Sequence, residues 1–122
     1  MRILVIDDDE LVRASLDKTL RSLGHEPVLT TGALEGIERA ECETFDVALI
    51  DMNMPGPDGL EAVKAIARLP VQTIAMSGGS SNTELEYSVV ALRMGARAFL
   101  PKPFTRKLLA TTLEAVIVPA KR

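Results

Sequence analysis

The chain has 122 residues, 47% of them hydrophobic and 25% charged, and a formal net charge of −3 at pH 7. This length fits one domain, and the composition is typical of a folded globular protein rather than a disordered, collagen-like or low-complexity chain. The acidic balance does not favour nucleic-acid binding, and no apolar run approaches the ~20 residues that cross a bilayer. A single cysteine, Cys42, excludes an internal disulfide, and a single histidine, His25, disfavours a zinc site. The apolar segment directly after Met1-Arg2 predicts no signal peptide, so we expect a cytoplasmic protein.

Apolar runs and amphipathic stretches alternate along the chain and predict five strands and five helices. The strands are expected at about 2–7, 26–30, 46–51, 71–76 and 96–100. The helices are expected at about 10–23, 33–42, 59–69, 83–94 and 105–118. Gly24 and Gly95 are expected to end the first and fourth helices, Pro70 to end the third, and Thr105 to cap the fifth.

This alternation predicts an α/β protein with helices on both faces of a parallel sheet. The apolar runs at 3–6 and 47–50 are continuous, as is typical of strands covered on both faces. Right-handed crossovers favour a flavodoxin-like, doubly wound (βα)5 fold with strand order 2-1-3-4-5. The second strand is then an edge strand, which suits Pro27 because proline cannot donate to a sheet ladder. We expect one domain over 1–118 and a short C-terminal tail over 119–122.

Polar residues follow four of the five predicted strands. They are Asp7, Asp8 and Asp9 after the first strand, Asp51 at the end of the third, Ser77 after the fourth and Lys102 after the fifth. Ligands of such folds bind beyond the carboxyl ends of the strands, where the strand order reverses. Adjacent carboxylates repel each other unless a cation lies among them, and oxygen ligands of this kind suit Mg²⁺.

The same residue types are suited to phosphoryl transfer. A lysine and a metal ion neutralise a phosphoryl group, a serine hydroxyl can donate to one of its oxygens, and a carboxylate can serve as the nucleophile. Asp51 is the expected nucleophile because it ends a central, buried strand. The product would be an aspartyl phosphate.

Four motifs carry a resemblance to a known family. They are Ile3-Leu4-Val5-Ile6-Asp7-Asp8-Asp9-Glu10, Asp51-Met52-Asn53-Met54-Pro55-Gly56-Pro57-Asp58-Gly59, Ser77, and Lys102-Pro103-Phe104. In this order and spacing they resemble the response-regulator receiver domain (CheY-like) of two-component signalling, over the whole chain. The resemblance implies that a histidine kinase or histidine phosphotransfer protein phosphorylates Asp51. It also implies that Asp8, Asp51 and the main-chain carbonyl of Asn53 bind Mg²⁺, with Asp7 acting through water.

The resemblance further implies a conformational switch. Lys102 would neutralise the phosphoryl group, Ser77 would move towards it, and Phe99 would fill the vacated space. The surface formed by the fourth helix, fifth strand and fifth helix (the α4-β5-α5 face) would then bind a downstream protein. The Lys102–Pro103 peptide bond is expected to be cis. We expect a signalling module rather than an enzyme, a monomer or weak dimer, without direct nucleic-acid or membrane contact.

Several alternatives stay open from the sequence. The acidic run could be a helix start, with Asp9 no more than a cap, and Phe99 could be an ordinary core residue. A Mg²⁺ phosphatase of the haloacid dehalogenase kind would use Asp7 and Asp9, but lacks room for a cap domain. An FMN protein is disfavoured by the scarcity of aromatic residues, and a phosphate loop at Gly78-Gly79 lacks the motif. The intact acidic set disfavours a pseudo-receiver. A single-domain protein is favoured over a receiver excised from a longer regulator with an effector domain.

Overall fold

The computed structural model describes residues 1–55, 58–78 and 88–117. Over these ranges five parallel strands form one sheet in the order β2-β1-β3-β4-β5. The strands are β1 (Arg2–Ile6), β2 (Glu26–Thr30), β3 (Val47–Asp51), β4 (Gln72–Ser77) and β5 (Ala98–Pro101). The predicted α/β class and flavodoxin-like strand order are therefore confirmed. Pro27 lies in β2, which is an edge strand as expected.

Helices connect the strands. They are α1 (Glu10–Ser22), α2 (Ala33–Cys42), α3 (Asp58–Ile66), the helical residues 88–93, which we name α4, and α5 (Arg106–Ile117). The predicted start of the fourth helix at 83 and the predicted tail at 119–122 lie outside the described residues. No helix in the described ranges is long and apolar enough to cross a bilayer.

The predicted end of the third helix, at residue 69, is wrong. Regular helix stops at Ile66, and the Leu69 N–H donates to the Ile66 carbonyl, three residues back rather than four. The chain therefore tightens into a 3₁₀-type turn before Pro70, because the residue before a proline is disfavoured in helical geometry. The other described boundaries agree with the prediction to within two residues.

The apolar core lies on both faces of the sheet. Leu4 and Ile6 pack against α2 and α3 on one face, whereas Ile3 and Val5 pack against α1 and α5 on the other. Every residue of β3 is buried, which explains why its sequence is continuously apolar up to Asp51. Helices on both sides thus leave the carboxyl ends of the strands as the exposed edge where polar side chains can gather.

The predicted helix ends are found at three positions. Gly24 has φ 91° and Gly95 has φ 120°, a left-handed backbone that follows α1 and α4 and that glycine adopts at low cost. The Thr105 hydroxyl accepts from the Leu108 N–H at 3.0 Å and caps α5. The Thr105 cap fixes the chain just after Lys102, at the edge of the sheet formed by the carboxyl ends of the strands.

Candidate functional site

The carboxyl edge of the sheet brings the predicted polar residues together. Asp7 directly follows β1, Asp51 is the last residue of β3, Ser77 is the last of β4, and Lys102 directly follows β5. The strands β1, β3, β4 and β5 are consecutive neighbours in the sheet. Parallel pairing therefore places all four residues along one side of the molecule.

Three carboxylates form a compact cluster there. Oxygens of Asp7, Asp8 and Asp51 lie within 4.8 Å of one another. Asp7 is fully buried and Asp51 is 2% exposed, whereas Asp8 faces solvent. This set of oxygen donors, two fixed in the protein and one open to water, fits a hard divalent cation such as Mg²⁺.

Lys102 is the basic partner of this cluster. Its ammonium lies 3.3 Å from Oδ2 of Asp7 and 3.2 Å from Oδ1 of Asp51, and its side chain is 18% exposed. One ammonium against three carboxylates leaves the cluster negative. Burial raises the pKa of the Asp7 carboxyl above its ordinary value, and the charge of Asp51 adds to this effect, although the Asp9 backbone N–H and Lys102 oppose it. An additional cation would relieve this repulsion.

Asp9 has a different role from its two neighbours. Its carboxylate accepts from the N–H groups of Leu11, at 2.9 Å, and Val12, at 3.3 Å, and so caps α1. It does not belong to the carboxylate cluster. The interpretation of Asp9 as a helix cap is therefore confirmed, and the dehalogenase-type pairing of Asp7 with Asp9 gains no support.

The turn after β3 orients Asp51. The Asn53 N–H donates to Oδ1 of Asp51 at 3.0 Å, and the Asn53 side-chain oxygen accepts from the Gly78 N–H at 2.8 Å. Oδ1 of Asp51 therefore has two donors, Asn53 and Lys102, while no described residue donates to Oδ2. Oδ1 of Asp51 is therefore fixed by hydrogen bonds, whereas Oδ2 accepts none from the described residues.

Ser77 and Phe99 lie on the same face of the sheet. Ser77 pairs with Pro101 and Ala75 pairs with Phe99, and side chains two residues apart on a strand share a face. Ser77 is fully buried, with its hydroxyl 3.4 Å from the Gly78 carbonyl, a long hydrogen bond. Phe99 is half-buried against the core that includes α3. The predicted loop residue Gly79 lies outside the described residues.

Backbone contacts join the last two strands at the site. The Lys102 N–H donates to the Ser77 carbonyl at 2.7 Å, so the loops after β4 and β5 are tied together. The Lys102–Pro103 peptide bond is cis, as predicted. Beside Lys102, an open apolar groove of about 410 Å³ runs along α1 and includes Leu11, which is 81% exposed.

Sequence reasoning missed two groups at this edge. Arg13 donates from Nη1 to the main-chain carbonyl of Asp7 at 2.8 Å, and the Asn53 side chain links two loops through Gly78. A signal for Arg13 was present, because helical side chains lean towards the N-terminus and Arg13 lies one turn beyond the helix cap. The Asn53 contact had no sequence signal, since it depends on how two loops approach each other.

A family model for the response regulator receiver domain matches residues 3–114. The chain belongs to this family. It is 32% identical to a chemotaxis protein CheY homologue of Campylobacter jejuni, with 96% of this chain and 92% of that protein aligned. It is 31% identical to the response regulator MprA of Mycobacterium avium, covering 96% of this chain and 51% of that protein. The crystal structure of a CheY-like receiver domain from Methanospirillum hungatei superposes with a TM-score of 0.85 at 31% identity, covering 95% of this chain and 92% of the other.

Membership places the chain in two-component signalling. Receiver domains typically bind Mg²⁺ at an acidic pocket, and in this chain Asp7, Asp8 and Asp51 form an acidic cluster at the carboxyl edge of the sheet. They are generally signalling modules that interact with histidine kinases and downstream proteins. The match therefore favours the receiver hypothesis over the phosphatase and FMN alternatives.

Proposed function

We propose that Asp51 is the phosphoacceptor of this receiver domain and takes its phosphoryl group from a histidine kinase or a histidine phosphotransfer protein. The observation that carries the proposal is the position of Lys102, whose ammonium contacts both Asp7 and Asp51. A buried nucleophile with a fixed cation beside it is suited to phosphoryl transfer, which depends mainly on positioning and charge neutralisation.

The transfer uses Oδ2 of Asp51, the oxygen to which no described residue donates. Oδ2 forms the new bond to phosphorus while the bond from phosphorus to the donor imidazole nitrogen breaks, and that imidazole leaves with its electron pair. Lys102 neutralises negative charge on the phosphoryl oxygens, and Ser77 donates its hydroxyl hydrogen to one of them. The backbone of Asn53 holds Oδ1 of Asp51 in place during the step.

The residues that would hold Mg²⁺ are Asp8, Asp51 and the main-chain carbonyl of Asn53, with Asp7 acting through water. Bound there, Mg²⁺ would supply charge neutralisation and orientation for the phosphoryl oxygens. The compact carboxylate cluster and the raised pKa of Asp7 support this assignment. Because Asp7 accepts the Asp9 N–H and contacts Lys102, its carboxyl group is held in a fixed position at the base of the site.

The signal leaves through Ser77 and Phe99. Ser77 moves towards the phosphoryl group, Phe99 turns into the vacated space, and the α4-β5-α5 face changes shape. The shared face of Ser77 and Phe99 and the long hydroxyl contact of Ser77 support this coupling. Moving a two-state equilibrium from 1:99 to 99:1 requires about 5.5 kcal/mol of differential stabilisation. Exposed apolar side chains on α4 and α5, among them Leu92 and Leu108, support a protein target.

The protein acts as a single domain in this proposal, as a monomer or weak dimer. The Campylobacter CheY homologue aligns over 92% of its length and MprA over 51%, so a longer regulator with an effector domain is the alternative. We expect it in the cytoplasm, where histidine kinases obtain their phosphate from ATP. A protein donor is supported by the exposed Leu11 and the apolar groove beside Lys102.

Intact mass after incubation with acetyl phosphate tests the proposal. Wild type with Mg²⁺ is expected to gain one phosphoryl group, and Asp51→Asn is expected to gain none. Asp58→Asn is a matched control, since Asp58 also follows β3 but lies outside the carboxylate cluster. If the wild type accepts phosphate only from its kinase, acetyl phosphate will not modify it. In that case beryllofluoride and Mg²⁺ are added, and their binding to the wild type is recorded by NMR. Failure of both reagents with wild type would contradict the proposal.

A further inference from the structure

The turn between β1 and α1 contains Asp7 and Asp8, two of the three clustered carboxylates. Arg13 hydrogen-bonds to the main chain of this turn. Nη1 of Arg13 lies 2.8 Å from the Asp7 carbonyl oxygen. The Arg13 N–H donates to the Asp9 carbonyl at 3.0 Å, so Arg13 sits one helical turn above the cap and its side chain reaches back. Arg13 is half-buried, which limits the competition of water for this contact.

The Asp7 carbonyl controls where Asp8 points. A peptide unit is planar and rigid, so holding the carbonyl of Asp7 restrains the Asp7–Asp8 peptide and the position of the Asp8 Cα, from which the Asp8 side chain extends. The Asp7 N–H is already held by the Thr30 carbonyl at 3.2 Å, and its carboxylate accepts the Asp9 N–H at 2.9 Å. Arg13 donates to the third polar group of Asp7, its main-chain carbonyl, which belongs to the peptide that joins Asp7 to Asp8. Asp8 is exposed, and no described side chain hydrogen-bonds to its carboxylate, so the backbone of the turn is the part of the structure that sets where Asp8 lies.

We propose that Arg13 is a positioning residue of the Mg²⁺ site, because its guanidinium fixes the Asp7–Asp8 peptide and so keeps the Asp8 carboxylate aimed at the ion. This role rests on the proposed function. Arg13 does not contact the phosphoryl group or the ion itself. It acts through the main chain of the turn, as groups outside the direct ligands often orient those ligands.

Charge and geometry predict opposite effects of removing Arg13. A cationic side chain near a cation site opposes Mg²⁺ binding by repulsion, so its loss through charge alone would tighten binding. If Arg13 acts by positioning Asp8, its loss weakens binding. The direction of the change therefore separates the two effects without reference to phosphorylation.

The experiment is a MgCl₂ titration of the unphosphorylated protein by calorimetry and by NMR of backbone amides. Arg13→Met, which keeps the length of the side chain but not the donor, is expected to weaken Mg²⁺ binding about tenfold, the lower end of the range typical for groups behind metal ligands. Arg13→Lys, which keeps a donor and the charge, is expected to restore part of the loss. Arg21→Met is the matched control, because Arg21 also lies on α1 but pairs with Asp17 at the surface; it should bind as wild type does.

Two results overturn the role of Arg13. They are unchanged or tighter Mg²⁺ binding by a folded Arg13→Met, and an amide spectrum in which Asp8 and Asp9 do not shift relative to wild type. Thermal melts establish that each variant is folded before it is titrated. A wild type that binds no Mg²⁺ would overturn the proposed function and this role together, whereas normal binding by wild type with no effect of Arg13→Met overturns the role alone.

Discussion

The ammonium of Lys102 lies 3.2 Å from Oδ1 of Asp51. The two residues are 51 positions apart in sequence. Lys102 directly follows β5 and Asp51 ends β3, and β4 lies between these two strands. Lys102 thus touches the proposed nucleophile through the oxygen that Asn53 also holds. The arrangement leaves Oδ2 of Asp51 without a described donor, beside a fixed positive charge.

Replacing Lys102 tests whether this charge serves the transfer. Lys102→Met is expected to slow phosphorylation by acetyl phosphate about 10²-fold. This is the typical effect of removing one group that stabilises the charge developing in a transition state. Rates of mass gain at saturating Mg²⁺ provide the measurement. Lys107→Met is the control, because Lys107 is an exposed lysine on α5. Equal rates for Lys102→Met and wild type would contradict the role of Lys102.

Neutralising Asp7 is expected to stabilise the protein without Mg²⁺. Burial and the Asp51 charge raise the pKa of Asp7 in the folded protein above its ordinary value of 3.8, so ionising this buried carboxyl at higher pH opposes folding. The contribution of Asp7 to the free energy of unfolding therefore falls as the pH rises from about 3.8, its ordinary pKa, through its raised pKa in the folded protein. Asp7→Asn keeps an acceptor for the Asp9 N–H and should raise the melting temperature at pH 7 by a few degrees.

The control for Asp7→Asn removes a carboxylate elsewhere. Asp17→Asn loses a surface pair with Arg21 and should leave the melting temperature nearly unchanged or slightly lower, since exposed ion pairs contribute little. MgCl₂ should stabilise wild type more than Asp7→Asn. A lower melting temperature for Asp7→Asn than for wild type in the absence of Mg²⁺ would contradict the account of repulsion in the cluster.

The Ser77 hydroxyl is expected to link the phosphoryl group to Phe99. In Ser77→Ala, beryllofluoride with Mg²⁺ should still bind, but most of the change in the Phe99 ring resonances should be lost because nothing draws the loop inward. NMR with labelled phenylalanine provides the measurement. Ser15→Ala, at an exposed serine on α1, should respond as wild type does. A full Phe99 response in Ser77→Ala would show that Phe99 is moved by another route and would contradict the role of Ser77.

Gly59 allows α3 to begin against the end of β3. A Cβ at this position would lie 2.5 Å from the Asp51 carbonyl oxygen and 2.8 Å from Cα of Met52, both backbone atoms. Gly59→Ser is therefore expected to destabilise the fold by about 1–3 kcal/mol. Gly32→Ser is the control, because a Cβ there meets nothing within 4 Å and serine is a good helix cap. Urea melts of the two variants that gave equal stabilities would contradict this packing argument.

The elements and the carboxylate cluster were predictable because both depend on simple regularities. Buried strands such as β3 are continuously apolar, and parallel strands end at one edge, so Asp7 and Asp51 had to approach each other. The end of α3 was not predictable to the residue, since the 3₁₀-type turn after Ile66 depends on local packing before Pro70.

The contacts of Arg13 and Asn53 show where sequence reasoning stops. Both involve side chains that hydrogen-bond to backbone groups of loops, and such contacts are set by the path of the loop rather than by a hydrophobic period. The sequence therefore identified the groups proposed for the chemistry, including Lys102 and Ser77, but not the groups that hold their loops in place.

Mapping the phosphorylated residue tests the central claim most directly. Borohydride reduces an aspartyl phosphate to homoserine, which peptide mass spectrometry can assign to a single position. After acetyl phosphate and Mg²⁺, the account predicts homoserine at position 51 in wild type and no homoserine in Asp51→Asn. Homoserine at position 7 or 8 in wild type, or modification that persists in Asp51→Asn, would contradict the assignment of Asp51 as the phosphoacceptor.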